Sequence, residues 1–352
     1  MSDETTSATP LLRNINFWLF VVNRSSNVIG IHSLTVAVGW YVYKLTGDPL
    51  DLGLIGLAQF APALVLFLFA GMAADRFDRR RIMVACNIVH GLAVALLIAL
   101  FWFELGTIWP ILGILALHGA ARSFYHTASQ AVLPNLMPRD QFPKAVAYSS
   151  SANKAAQLAG PAFGGFLIAG IGDGVYVFTL IMFLIAGISA ALISGNLKVP
   201  AKEPVNLKVI MGGFTYIWNN KIVLGAISID LIAVLFGGLM GLLPIFASDI
   251  LHVGPSGLGV MRAMPGVGSL IVGILLTQIA APRYMGPTLF FSLAVFGLSI
   301  TAFSLSETYW ISLVALGIYG AADMVSVYVR QTLVQIATPD SMRGRVSAVN
   351  AI

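Results

Sequence analysis

Residues 75–103 read DRFDRRRIMVACNIVHGLAVALLIALFWF. Two signals stand side by side in this stretch. Arg76, Arg79, Arg80 and Arg81 crowd a short polar loop. The run Ile82–Phe103 then continues without a single Lys, Arg, Asp or Glu. About 20 apolar residues span a bilayer as a helix. The segment AVALLIALFWF does not alternate, so it does not read as a lipid-facing barrel strand. The stretch is a membrane helix with a basic loop at its start.

The composition extends that reading to the whole chain. Hydrophobic residues make up 58% of the 352 residues and charged residues 10%, against roughly 25% charged in soluble domains. The mean hydropathy is +0.87. So much apolar surface cannot be hidden from water, so the solvent is mostly lipid. Disorder, coiled coil, nucleic-acid binding and a secreted disulfide scaffold are excluded. The net charge of +5 reads as cytoplasmic anchoring of a membrane protein rather than as an acidic partner. The single Cys86 permits no internal disulfide and fits no metal motif. No metal site is expected. The N-terminal MSDETTSATPLLRN lacks the basic start and short apolar core of a signal peptide.

Working outward, the spacing predicts ten spans and the start of an eleventh. They are Ile15–Tyr43, Leu50–Ala74, Ile82–Phe103, Thr107–Leu136, Gln141–Ile171, Val175–Ser194, Ile222–Leu251, Ser256–Ala281, Gly286–Leu305 and Tyr309–Ala337. Lys and Arg fall on alternate loops. Arg139 and Lys144 follow the fourth span, Lys198, Lys202 and Lys208 the sixth, Arg283 the eighth, Arg343 and Arg345 the tenth. The opposite loops hold Lys44 and otherwise the acids Glu104, Asp173, Asp249 and Glu307. The basic loops and the N-terminus are therefore expected in the cytoplasm.

The widest polar break is Gly195–Lys208. It divides the chain into a six-helix bundle (1–194), a cytoplasmic linker (195–220) and a second bundle (221–352). Leu207, Ile210, Met211, Phe214, Ile217 and Trp218 recur at helical spacing. They fit either an amphipathic helix on the inner face or an early start of the seventh span. The two halves repeat. Gly56 and Pro62 match Gly259 and Pro265, and Gln130 and Pro138 match Gln331 and Pro339, all about 200 residues apart. Two parallel six-helix halves suit a secondary transporter. On that arithmetic the full length is about 400 residues, so most of the eleventh helix and all of the twelfth are expected to be missing.

The loop after the second span, Gly71-Met72-Ala73-Ala74-Asp75-Arg76-Phe77-Asp78-Arg79-Arg80, resembles the signature GxxxDRxGRR of the major facilitator superfamily, with Asp78 at the usual Gly. The fifth span holds Gly160-Pro161-Ala162-Phe163-Gly164-Gly165, which resembles the GPxxGG core of that family's antiporter motif. TGDPLDLGLIGLAQFAPAL and LVQIATPDSMRGRVSAVN are similar to its siderophore-exporter and macrolide-efflux branch. The resemblance implies an all-α integral membrane protein with the major facilitator fold. It also implies gating by Gly71, Asp75, Arg76, Arg79 and Arg80, and an efflux role for the GPxxGG helix. Gly71 is expected to allow close helix approach, Asp75 to face a helix N-terminus, and the arginines to pair with Asp75, Asp78 or anionic lipid.

Charges inside the spans single out a site. Arg122, Asp230 and Asp323 lie near mid-membrane, Arg262 nearer the outer side and Arg24 nearer the inner side. Such charges cost several kcal/mol, about enough to demand pairing, hydration or function. Asn23, Asn27, Gln59 and Gln157 join them as cavity candidates or as hydrogen-bonded packing. His32, His90, His118 and His126 read as packing groups or proton carriers. Arg122 and Asp323 occupy equivalent repeat positions and are expected to face each other across a central cavity, with Asp230 and Asp323 carrying protons. No nucleotide-binding loop, HExxH, GxSxG or paired-Cys cluster occurs. The chain is therefore not read as an enzyme. The reading is a monomeric inner-membrane exporter of an amphipathic small molecule, driven by a proton gradient and needing no cofactor. An importer or facilitator on the same fold, and a non-transporting receptor or scaffold, stay open.

Overall fold

A computed structural model describes residues 11–103, 107–138, 140–195, 238–278 and 284–337, with a few single positions between 218 and 229. The first half contains α1 (Ile15–Thr46), α2 (Pro49–Arg76), α3 (Arg79–Trp102), α4 (Ile108–Leu136), α5 (Phe142–Ile171) and α6 (Gly174–Leu192). The second contains α7 (Leu239–Ile245), α8 (Gly254–Gln278), α9 (Met285–Ser304) and α10 (Tyr309–Ala337). No strand occurs among the described residues. The linker and the eleventh helix fall outside them, and so does most of the seventh span.

Local chemistry fixes the helix ends. Asn14 caps α1 by accepting from the Phe17 N–H at 3.2 Å. Gly47 closes α1 at φ 65°, which only glycine adopts freely, and Asp48 caps α2 by accepting from Leu50. Asp78 caps α3 by accepting from the Arg80 N–H at 2.9 Å. In α7, Pro244 removes a backbone donor and the chain widens into a π-helical turn over Phe246–Ile250.

Within the first half, α1 packs on α5 and α6, α2 on α4, and α3 on α4 and α6. In the second, α8 and α9 both pack on α10. The α2–α4 and α8–α10 pairs occupy equivalent places in the repeat. They cross at equivalent glycines too. A Cβ on Gly119 would fall on the Gln59 carbonyl, and one on Gly320 would fall on the Pro265 carbonyl.

Polarity is turned inside out relative to a soluble bundle. Leu92 and Leu96 on α3, Phe290 and Phe291 on α9, and Trp310 and Val314 on α10 are exposed. Asn23, Asn27, Asn87, His90 and His118 are buried. Seven described helices are long and apolar enough to cross a membrane: α1, Pro49–Phe67 of α2, α3, α6, α8, α9 and Tyr309–Val334 of α10. α4 and α5 have the length but carry more polar groups.

Candidate functional site

The halves meet along α1, α2 and α5 on one side and α7 and α8 on the other. A cavity of about 540 Å3 opens between them. Its apolar wall comes largely from α2, through Leu52, Ile55, Phe60, Leu64 and Phe67. Gln59, Arg122, His126 and Arg262 supply its main polar groups. Arg122 is exposed to this space. Arg262 crosses from α8 toward α1, where Gly39 makes room for it: a Cβ on Gly39 would sit 3.4 Å from Arg262 Nη2. Arg262 Nε is shut off from solvent and has no hydrogen-bond partner among the described residues.

A second cavity of about 530 Å3 lies between α5, α8 and α10. His32, Lys154, Gln157, Arg262, Tyr319 and Asp323 contribute its polar lining. Arg262 thus borders both spaces. The expected meeting of Arg122 and Asp323 is corrected: they line different cavities, because α4 packs against α2 and α10 against α8. The repeat places Gln59 with Arg122 in the first cavity and Arg262 with Asp323 in the second.

Other expected lining residues sit elsewhere. Asn23 is fully buried, with its amide donating to the Ala186 carbonyl at 2.6 Å and its oxygen accepting from Tyr125 at 2.7 Å. Asn27 donates to Asn87 at 2.9 Å. Both lie in the packing of the first bundle, not on the cavity, because α6 and α3 cover that face of α1. Arg24 reaches Ser149 at 3.4 Å and lines neither cavity. Asp230 lies outside the described residues. Lys154 is absent from the candidates read from sequence, although a cation inside a predicted span was the signal that marked Arg122. Gly39 carries no such signal. It matters only because of what α8 brings to it.

The histidines divide. His32 and His126 each line a cavity. His90 and His118 instead meet Nδ1 to Nδ1 at 2.9 Å in the core of the first half, where His90 stacks on Phe183 and His118 meets it edge-on. One ring must donate and the other accept, and His90 Nε2 is left without a partner.

The basic loop ties helix ends together. Arg79 donates to the carbonyls of Ala74 at 3.2 Å and Ala131 at 2.8 Å. Arg80 donates to the Ile193 carbonyl at 2.8 Å and lies 3.7 Å from Asp78. Cations thus sit at the C-terminal ends of α2, α4 and α6, where the helix dipoles are negative. Asp75 and Arg76 are exposed. Gly71 has no described neighbour within 4 Å of a built Cβ, so close helix approach there is not observed. No helix N-terminus facing Asp75 is seen among the described residues, and the eleventh helix lies outside them.

The GPxxGG segment packs α5 against two helices. Gly160 and Gly164 face α1: a Cβ on either would meet His32 Cβ at 2.7 Å or Ser33 Cα at 3.0 Å. Ser33 donates to the Gly160 carbonyl at 2.8 Å. Gly165 faces α8, where a Cβ would come within 2.6 Å of Gly259 Cα. The Pro161 carbonyl lies on the same crossing, 2.7 Å from a Cβ built on Gly259. This crossing joins the halves near the end of the bundle where α1 finishes. Tyr43 hydrogen-bonds Asp249 across the same end, and Lys44 donates to Ser248 at 3.0 Å.

The sequence profile of the Major Facilitator Superfamily matches residues 20–352. The chain belongs to that family. It is therefore a membrane transporter and not an enzyme. Among curated relatives it is 24% identical to macrolide efflux protein A of Streptococcus pyogenes, over 94% of this chain and 84% of that protein. It is 25% identical to a Na(+), Li(+), K(+)/H(+) antiporter of Planococcus maritimus, over 81% and 73%. It is 23% identical to the enterobactin exporter EntS of Escherichia coli O1:K1, over 93% and 78%. Among solved structures it superposes on a bacterial homologue of the human lysosomal transporter Spinster in an inward-facing state, with a TM-score of 0.71 at 16% identity, covering 98% of this chain and 79% of that one. The nucleoside transporter NupG gives 0.73 at 12% identity, covering 96% and 86%. At these identities the structures share the fold alone.

Proposed function

We propose that this transporter exports an amphipathic small molecule by proton antiport across a bacterial inner membrane, with its N-terminus and basic loops in the cytoplasm. The observation that carries the reading is the cavity between the halves. Small-molecule sites occupy about 300–1,000 Å3 and combine an apolar wall with a few polar groups. The 540 Å3 cavity has that character. A scaffold would have a filled centre. The efflux and antiport roles of the relatives named above support the direction and the coupling. On this topology the α5–α8 crossing and the Tyr43–Asp249 contact close the outer end, and alternating access requires them to part.

Asp323 is the described carboxylate proposed to carry the proton, with Asp230 as the second carrier. Arg262, which shares a cavity with Asp323, is the cation that modulates its proton affinity in this reading. A carboxylate holds a proton more weakly when a cation is near and more tightly when the cation withdraws. A change of conformation that alters the distance between Arg262 and Asp323 therefore changes proton affinity.

The test is substrate-driven proton flux in inside-out vesicles holding the full-length protein. Asp323→Asn is expected to lower proton-driven efflux at least about tenfold, which corresponds to about 1.4 kcal/mol, while substrate exchange continues. Wild-type proton-driven efflux by the variant would refute Asp323 as the carrier.

A further inference from the structure

We propose that the first cavity selects amphipathic anions, holding a carboxylate or another acidic head between Arg122 and Arg262 while the apolar body lies along α2. The proposal rests on the export reading and names its substrate class.

Among the described residues that line the cavity, charge is one-sided. Arg122 enters from α4 and Arg262 from α8, and no carboxylate lines this cavity among the described residues. A guanidinium stays protonated in a protein, so both charges are permanent. Neither arginine forms an ion pair among the described residues. The unpartnered Nε of Arg262 is closed to solvent. An uncompensated buried cation is expensive, and the expense falls when an anion arrives. A planar acidic head meets a guanidinium through two parallel hydrogen bonds. On the neighbouring cavity Lys154 and Asp323 carry opposite charges, so the positive character of the first cavity comes from Arg122 and Arg262 themselves.

The other side of the cavity has the opposite character. Leu52, Ile55, Phe60, Leu64 and Phe67 offer aliphatic and aromatic surface with no charge. An inorganic anion would leave that wall uncovered. A cation of the same shape would face two like charges across a low-dielectric space, which repels it strongly.

Three probes with one pyrene body separate the possibilities: pyrenebutyrate, pyrenebutanol and a pyrenebutyl trimethylammonium. Binding is read by energy transfer from tryptophan to pyrene in lipid nanodiscs, with protein-free discs subtracted. Efflux of each probe is followed in vesicles. Pyrenebutyrate is expected to bind at least about tenfold more tightly than the cation, equivalent to about 1.4 kcal/mol. Arg122→Gln and Arg262→Gln should each remove most of that preference in the binding measurement, changing binding of the acid far more than binding of the alcohol. Arg122→Lys and Arg262→Lys should restore much of it, which separates lost charge from lost folding. If the cation or the alcohol is exported and binds as well as the acid, the protein is an exporter but the charge rule is wrong. If no probe binds or moves, the export reading fails and the rule with it.

Discussion

Asp78 illustrates what one residue does where the family pattern has glycine. Its carboxylate accepts from the Arg80 N–H and starts α3, while the nearby Arg80 guanidinium contributes little as a part-exposed pair. N-cap Asp replaced by Ala costs about 0.5–2 kcal/mol, and replaced by Gly only a few tenths. Asp78→Gly should therefore unfold thermally close to the parent, with Asp78→Ala clearly lower. Equal midpoints for the two variants in detergent would contradict the capping account. The cap was legible in principle, since an Asp directly before a helix is a start signal. The fates of Asn23 and Asn27 were not. Their spacing puts them on one face of α1, but only the packing of α6 and α3 decides that this face meets Ala186 and Asn87 instead of a cavity.

At the scale of helices, the small residues of α5 announce close packing without naming the partner. The structure supplies two partners, α1 at Gly160 and Gly164 and α8 at Gly165. The second contact bridges the halves, so it bears on conformation as well as stability. A methyl on Gly165 meets backbone atoms of Pro255 and Gly259, not the end of a flexible side chain. Such a clash has no cheap rotamer solution. Gly165→Ala is therefore expected to force α5 and α8 apart and favour the state in which that end is open. Transport should fall about tenfold or more, equivalent to about 1.4 kcal/mol of population shift, at normal expression. An impermeant thiol reagent should gain access to a cysteine placed at Ser256, near the start of α8. Unchanged access and unchanged transport would show that the crossing adapts without moving the halves. The repeat was legible as paired glycines and prolines. That the α2–α4 and α8–α10 crossings use Gly119 and Gly320 follows only from the packed helices.

At the scale of the molecule, the spans that the structure describes, and their order, were legible because lipid imposes so strict a pattern: long apolar runs separated by short polar loops. The cavity partition was not legible. Equivalent positions in a repeat were expected to face each other, whereas Arg122 and Asp323 belong to separate spaces and Arg262 borders both. Among the described residues, the contacts that join the two bundles at one end include the Gly165–Gly259 crossing, the Tyr43–Asp249 hydrogen bond, the Lys44–Ser248 hydrogen bond and apolar packing of Val36, Trp40 and Ile168 on Leu239 and Leu243. If export proceeds by alternating access, this end must open once in every cycle. A tether across it should then stop turnover without disturbing the fold, because it fixes a contact that already exists. Tyr43→Cys with Asp249→Cys supplies such a tether when treated with a short bifunctional thiol reagent that reductant can cleave. The native Cys86 is buried in the first bundle and offers no competing site. Substrate efflux is expected to fall to background on cross-linking and to return on reduction, while each single-cysteine protein is indifferent to the reagent. Binding from the opposite side should survive in the tethered protein, since the cavity remains formed. Efflux at the untethered rate by fully cross-linked protein would mean that substrate leaves by another route and that this end is a fixed joint.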